Sequence, residues 1–558
     1  MTDGRPSEAG RTARWALVWG LTLLGCGATQ HRFPLADPIW VDEDMETFAR
    51  RPSEIYTPPQ WDRIDHTLFR RVSEVFLYEL DRPALNVNAL DEVPDSSWFV
   101  NRIGRGRVSP AQIRAGACDS PEEPPRPWTV IRAKESGSSP GLVIRDANGQ
   151  TSIFKIDFGQ PERATASDSI STRIFWAAGY YTPCNRVVFF TPDDLVLATE
   201  PDGDHALPSA EDVRRVVDAA MRMPDGTLRG SVSEYIPGRP LGGWRFEGLR
   251  DDDPNDVFPH EHRREVRGMY VLSAWLNHID TRAENNMDGW MQGDDGRGYI
   301  RHFVLDAGDS FGQIFETSYL LSQSFGLSHY LDLGHLSEDF LTFGAIDRDY
   351  YDAPRGPAFD VLGFYDAERF DPSDWRNGYP NPAFDRATEQ DKAWMARIIA
   401  RFDRLHLRAA VDAGRFSNEV VRQELIRILR ARRVSILERY LTRLSPLTDA
   451  EVSDGMLCLH DLGLESGLRP SRGRRHRAAA WDDWPREGTR RVRTMRAGSR
   501  VCLELPDDER ATAEEPRYLV VDVTAGTAGR ETTGVARVHL YQVGPGAFRL
   551  VGLERPMP

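Results

Sequence analysis

The chain has 558 residues, 28% of them charged and 40% hydrophobic, with a formal net charge of −15. That length predicts about three or four domains, and 14 Trp, 16 Tyr and 25 Phe exclude a disordered chain, which lacks large apolar groups to bury. A net acidic chain is a poor partner for nucleic acid, whose phosphates demand clustered cations. Lysine is scarce: Lys134, Lys155 and Lys392 stand among cations that are otherwise all Arg.

Arg11 and Arg14 precede an apolar run from Trp15 to Leu24, which ends at Gly25 and Cys26. A basic start, about ten apolar residues and a small residue form a secretory leader, too short for a bilayer span of about 20 residues. Leu23-Leu24-Gly25-Cys26 resembles the bacterial lipobox. The resemblance implies that residues 1–25 are removed, that Cys26 is lipidated, and that an exported protein is held on the envelope. Gly27 and Ala28 follow without Asp, which favours the outer membrane. An ordinary signal peptide with a chance Cys is the alternative. Cys118, Cys184, Cys458 and Cys502 remain, without a CxxC pair, so zinc is not expected. In an oxidising compartment Cys458–Cys502 is a candidate disulfide and Cys118–Cys184 a weaker one; free buried thiols are the alternative.

Residues 26–60 are Pro-rich and read as a tether. An N-terminal extension follows over 61–127, where Ile64, Leu68, Val72, Val75, Phe76 and Leu80 recur at helical spacing. The Pro-dense stretch 119–127 marks a boundary. Over 128–240 the pattern turns to about five strands, with WTVIRA, LVIRD and TSIFKIDF first. One helix ending at Gly179 interrupts them. Over 241–454 helices dominate, notably a core helix around 262–279 and two strong ones in 389–414 and 417–444. Residues 455–558 read as a small β-rich domain after an Arg-rich loop (Arg469, Arg472, Arg474, Arg475, Arg477), either a solvated loop or a lipid-headgroup contact. His260-Glu261-His262 lacks the HExxH spacing of a zinc site, and no G-x-S-x-G elbow occurs.

Four elements carry chemistry. The hairpin 128–146 has Lys134, Gly137 and Gly141 at its tip, where small residues let backbone amides approach phosphates. Lys155 sits in the apolar strand Ile153-Phe154-Lys155-Ile156, and a cation there must be paired or face a cleft; Glu162 and Asp168 in the next helix are candidate partners. Glu234-Tyr235-Ile236-Pro237-Gly238 leads from strands to helices. Finally, Asp280 and Asn285 lie on one loop and Asp306 ends a later strand, an oxygen-donor set suited to Mg²⁺ with phosphates.

In this order the motifs resemble the protein-kinase-like superfamily: strand Lys, helix acid, E-Y-x-x-G hinge, H-x-D-x-x-x-x-N, then D-x-G. The resemblance covers roughly 128–450 and implies an α+β fold, a bilobal core with a β-rich small lobe and a helical large lobe, here followed by the C-terminal β-domain. It implies that Lys155 holds ATP phosphates, paired with Asp168 or Glu162, beneath Lys134, Gly137 and Gly141. Glu234 and Tyr235 would lie along the adenine. Asp280 would orient or deprotonate an acceptor hydroxyl, with His278 as the loop's structural histidine, and Asn285 and Asp306 would bind Mg. The chain departs from the pattern: it has no G-x-G-x-x-G, Ala307 replaces the Phe of D-F-G, and no A-P-E follows. Those departures are closer to the HipA-type, CotH-type and lipid-kinase-like branches. The implied function is an envelope-anchored, Mg-dependent phosphotransferase acting on an unnamed protein or small-molecule acceptor; a silent kinase-like binding or scaffold lipoprotein is the alternative.

Overall fold

The computed structural model describes residues 32–58, 61, 64–70, 82–120, 122–134, 140–157, 159–314, 321–348, 350–482, 489–527 and 533–557. The leader, Cys26, Gly137 and most of the 61–80 stretch lie outside them. Among the described residues the fold mixes helices with antiparallel-rich sheets.

The first sheet holds β1 (Trp128–Ala133), β2 (Gly141–Arg145), β3 (Thr151–Lys155), β4 (Asn185–Phe190), β5 (Leu195–Leu197) and β6 (Leu228–Glu234), in the order β4-β6-β3-β2-β1-β5. Six strands therefore stand where about five were expected, because the short β5 adds to β1 in parallel. Period-two alternation sorts their side chains. Trp128, Leu142, Ile144, Phe154, Phe190 and Val232 fill one face, capped by the apolar side of α2 (Ala210–Ala219), which presents Val213, Val216 and Val217. The residues next to Phe154, Ile153 and Lys155, must then point to the opposite face.

That opposite face meets α1 (Arg163–Ala178). Asp157 fixes where α1 begins, because its carboxylate accepts from Thr165 N at 2.9 Å and from Thr165 Oγ1 at 2.8 Å. Gly179 ends α1 at φ +140°, where a Cβ would lie 2.3 Å from the Phe99 ring; only Gly permits both the turn and the contact.

Next come β7 (Arg239–Pro240), α3 (Arg264–Leu276), β8 (Asn286–Gln292) and β9 (Gly298–Val304), the three strands forming a small sheet in the order β7-β8-β9. Every residue of α3 is buried. It packs against α4 (Glu389–Ala400) and α6 (Glu419–Ile436), while α5 (Arg404–Asp412) packs on α6 and α1. A helix buried all round has no polar face to shed its charges, so Arg264 and Arg267 both reach the fully buried Asp391 of α4, each at 3.1 Å. Ile170, Ile174 and Phe175 of α1 join this core with Trp275, Trp394 and Leu429. α1 thus packs both on the first sheet and in this core.

The remaining strands are β10 (Leu447–Ser453), β11 (Met456–Asp461), β12 (Arg474–Asp482), β13 (Arg490–Val492), β14 (Thr494–Ala497), β15 (Arg500–Glu504), β16 (Arg517–Thr527), β17 (Ala536–Gly544) and β18 (Ala547–Glu554). They form sheets β10-β11-β15-β14 and β13-β12-β16-β17-β18 whose apolar residues share one core. The boundary expected at 455 is corrected to Leu447, since a cut at 455 would split the β10–β11 hairpin.

One further expectation is corrected, and the helical reading of 61–80 holds where it is described, over Asp65–Phe69. The stretch read as a tether is seated on the molecule from Arg32 onward: Phe33 fills the space beside Gly552, Asp44 accepts from Ser97 N and Oγ, Phe48 stacks edge-on with Trp290 at 5.0 Å, and Ile55 N donates to Leu241 O. Of the apolar series in 61–80, the described Ile64 and Leu68 are exposed. The extension's contribution comes later instead, from Val93, Trp98, Phe99, Ile103 and Ile113 in the helical core.

Both candidate disulfides form. Cys118–Cys184 joins the extension to the residue before β4. Cys458–Cys502 links directly opposed residues of β11 and β15.

Candidate functional site

The site lies where the first sheet meets the loops after α3 and β9. Alternation on β3 turns Lys155 away from the aromatic core, and its Nζ stands 2.8 Å from Asp306 Oδ2 and 3.9 Å from Asp168 Oδ2 of α1. Glu162, the other offered partner, is directed elsewhere: its carboxylate accepts from Ser417 N at 2.9 Å and lies 3.9 Å from Arg229. Position decides between them, since Glu162 precedes the helix in a left-handed conformation (φ +59°), whereas Asp168 lies on the turn facing β3.

One cation facing two carboxylates drives their proton affinities apart. Burial alone would raise the pKa of Asp306, but the Lys155 charge and hydrogen bond hold it well below the usual carboxylate range. Asp168 is buried more deeply and shares the same lysine with Asp306. Burial therefore raises it to about 6, against the Lys155 charge. Lys155 itself is raised: burial would lower it, and the charges of Asp306 and Asp168 prevail.

Lys134 closes the same space from above. Its amide donates to Gly141 O, and a Cβ on Gly141 would sit 3.0 Å from the Lys134 side chain and 2.5 Å from Phe154 O. The missing side chain at 141 makes room for that lysine. Burial and the nearby Lys155 charge lower the Lys134 pKa, partly offset by Asp306.

α3 ends at Asn277 in a left-handed conformation, held by Trp375 Nε1 to its Oδ1 (2.9 Å) and by its own Nδ2 to Ser324 O (3.0 Å). This turn delivers the 278–285 loop. One carboxylate organises it: Asp309 accepts from His278 Nδ1 at 2.5 Å, from Ile279 N at 2.6 Å and from Asp280 N at 2.9 Å. Burial would lower the His278 pKa; the Asp309 charge reverses this and raises it. Asn285 Nδ2 donates to Asp280 O at 2.7 Å, and Asn285 O accepts from Leu305 N at 2.9 Å, which ties the loop to the strand end carrying Asp306. Asp280 is raised by burial, against the charge of Arg282, whose Nε lies 2.7 Å from it. Arg282 also holds Glu284 at 2.8 Å.

Lys155, Asp168, Asp280, Asn285, Asp306, His278 and Lys134 therefore belong to one connected region. Glu234 and Tyr235 lie at its edge, at the end of β6. Their amides are engaged within the fold, Glu234 N with Cys184 O and Tyr235 N with Thr151 O, both at 3.0 Å. Arg132 donates to the Tyr235 hydroxyl at 2.8 Å. Two residues escaped the sequence reading, Asp309 and Arg282. Each sits close to a recognised motif, Asp309 directly after Gly308 and Arg282 two residues after Asp280, but only contact geometry reveals their work.

For a divalent cation the donors are hard oxygens. The Asp306 side chain is 43% exposed and takes one hydrogen bond on each oxygen, from Lys155 and from Gly308 N at 3.0 Å. The Asn285 amide nitrogen is occupied, which leaves its carbonyl oxygen as the donor atom. Two protein donors with positions left for phosphate and water fit Mg²⁺. Among the described residues no group of three or more His, Cys, Asp or Glu is arranged to hold a metal.

The Arg-rich stretch is not all loop: Arg474, Arg475 and Arg477 stand on β12, and Arg472, Arg475 and Arg477 are exposed. Arg474 forms a buried pair with Asp461 at 2.8 Å, shared with His476, and Arg469 reaches Glu438. His260 is buried against Asp256 and Arg245 O, a structural contact.

No family model matches the chain, and no curated protein does. Among solved structures it is similar to the Golgi casein kinase. One structure, with Mn/ADP bound, is 10% identical, covers 58% of this chain and 76% of that chain, and has a TM-score of 0.23. A second has 10% identity, coverages of 55% and 72%, and a TM-score of 0.22. Likeness at that level carries no argument, so the function rests on the cleft itself.

Proposed function

We propose that the chain is an atypical kinase-like phosphotransferase with a bilobal core, using ATP or another nucleotide with Mg²⁺. The observation that carries this is the lysine of β3 spanning an acid of α1 and the acid after β9, with Asp280 and Asn285 on the adjoining loop. When bound, the metal would neutralise charge on the transferring phosphoryl group. Asp306 and the Asn285 carbonyl would hold it. Lys155 and Lys134 would bind phosphate oxygens, and Asp168 would keep Lys155 in place. Asp280 would take the acceptor hydroxyl proton as the new O–P bond forms and the bond to the leaving diphosphate breaks. A base of raised pKa suits that step. Arg282, already beside Asp280, would favour the ionised carboxylate that accepts the proton.

For location, two disulfides support an oxidising compartment, and the lipobox-like leader supports a lipid anchor at Cys26 on the outer membrane. Among the described residues no helix is long and apolar enough to cross a membrane. A second reading, a silent binding module, is favoured by the engaged amides of Glu234 and Tyr235, which are not offered to a base.

Thermal melting with Mg·ATP and other nucleotides, followed by a phosphate-transfer assay, tests both readings, because a ligand of the native state must raise the midpoint. A shift with transfer supports the enzyme. A shift without transfer supports the binding module, and no shift with any nucleotide removes both.

A further inference from the structure

Outside the cleft, α5 and α6 border a groove of about 540 Å³, closed at one end by the turn 466–468. Five arginines line it: Arg404 and Arg408 from α5, and Arg427, Arg430 and Arg433 from α6. No Asp or Glu does, in a chain whose net charge is −15. The floor is apolar, with Ile426 and Leu437 buried and Val434 beside them.

Two arginines of α6 are ion-paired, and one of them, Arg427, lines the groove. Arg422 reaches Asp412 at 2.6 Å and Glu419 at 2.8 Å, and Arg427 reaches Glu424 at 2.8 Å and Glu368 at 3.1 Å. Arg404, Arg408 and Arg430 form no ion pair with a described carboxylate, and the buried Nε of Arg408 has no hydrogen-bond partner among the described residues. Arg433 gives its hydrogens to the carbonyls of Ile399, Ala400 and Ser466, which satisfy its donors without cancelling its charge. Its pKa is lowered to about 10: burial is the main cause, the Asp403 charge opposes it and the Arg430 charge adds to it. Like charges at i and i+4, as in Arg404 and Arg408, destabilise a helix, so the groove holds repulsion that an anion would relieve. It is continuous, through Arg404, Arg430 and Arg433, with a larger cavity of about 1080 Å³ towards β10 and β11.

We infer that this groove is a binding site for a phosphate-type anion, taken free or as the headgroup of an anionic phospholipid whose apolar part lies along Ile426, Val434 and Leu437. Guanidinium forks match phosphate oxygens two at a time. The site is independent of the proposed nucleotide cleft, none of whose residues lines it.

The test uses the full chain with Cys26→Ser throughout, so that no acyl tether contributes. Three forms are compared: this parent, the same chain with Lys155→Ala, and the Lys155→Ala chain that also carries R404A/R430A. Arg404 and Arg430 are exposed, and unchanged melting of that variant verifies its fold. Calorimetry with pyrophosphate, without divalent metal and at low salt, is expected to show binding in the parent and in Lys155→Ala. R404A/R430A should weaken it at least about tenfold, as the loss of two charge-assisted contacts requires. Co-sedimentation with phosphatidylcholine vesicles, with and without phosphatidylglycerol, separates the sources. Arginine-dependent retention on the anionic vesicles assigns the headgroup; arginine-dependent binding of pyrophosphate alone assigns the free anion. Binding that survives R404A/R430A, or no binding to either probe, overturns the inference.

Discussion

Single residues set the electrostatics of the cleft. Lys155 compensates two carboxylates and would meet phosphate, so Lys155→Ala should abolish the nucleotide-induced melting shift and reduce transfer by at least about 100-fold, the scale seen when one preorganised electrostatic donor is lost. Asp168 gives a pH signature. Its pKa is raised by burial, to about 6, above an unfolded value near 3.9. A raised acid contributes stability below the unfolded pKa and loses it as pH climbs through the folded one. The melting temperature of the natural chain, measured against Asp168→Asn, should therefore decline between about pH 4 and pH 6 and level off above. A difference that rises across that window would refute the assignment. Asp309 accepts three hydrogen bonds, and Asn can accept only part of them. Asp309→Asn should cost about 2 kcal/mol in denaturant melts and lower the His278 titration point followed by NMR. Transfer should fall more than nucleotide affinity, because the loop carrying Asp280 loses its anchor.

At the scale of elements, the alternation of β3 was legible in Ile153-Phe154-Lys155-Ile156, and it alone puts Lys155 opposite the aromatic core. The pairing with Asp168 rather than Glu162 was not legible, since it depends on where α1 begins, and Asp157 sets that from outside the helix. A Pro-rich stretch also reads as linker in one dimension; in space residues 32–58 cover Trp290, Ser97 and Gly552. The Cys118–Cys184 bridge closes a separation of 66 residues between the extension and β4. The Cys118→Ser/Cys184→Ser pair should lower stability by about 2–5 kcal/mol, read as an earlier urea midpoint. An unchanged midpoint would mean that the bridge does not constrain the chain.

Across the whole molecule, Asp91 of the extension joins three parts. Arg264 of α3, Arg397 of α4 at 3.1 Å and Arg555 near the C-terminus at 2.5 Å all converge on its carboxylate. Burial would raise its pKa, and the three arginines hold it far below the usual range. Asp91→Asn leaves the buried Arg555 without its carboxylate and Arg264 and Arg397 with one each, Asp391 and Glu92, and should cost about 3–5 kcal/mol at pH 7. Because the folded pKa is depressed, that stability is present above the unfolded pKa near 3.9 and shrinks as pH falls below it. The melting gap between the two forms should narrow accordingly in acid. By itself, the sequence determined the main strands and helices, though not α2 or the break between α4 and α5 in the stretch read as one helix over 389–414, and the chemical types of Lys155, Asp280, Asn285 and Asp306, because periodicity and residue chemistry are local. The tertiary structure alone decided which acid meets Lys155, that Asp309 orders the loop, that the supposed tether is seated, and that five arginines and no carboxylate line one groove. Those facts depend on distances between residues far apart in the chain, and only the packing of buried surfaces sets such distances.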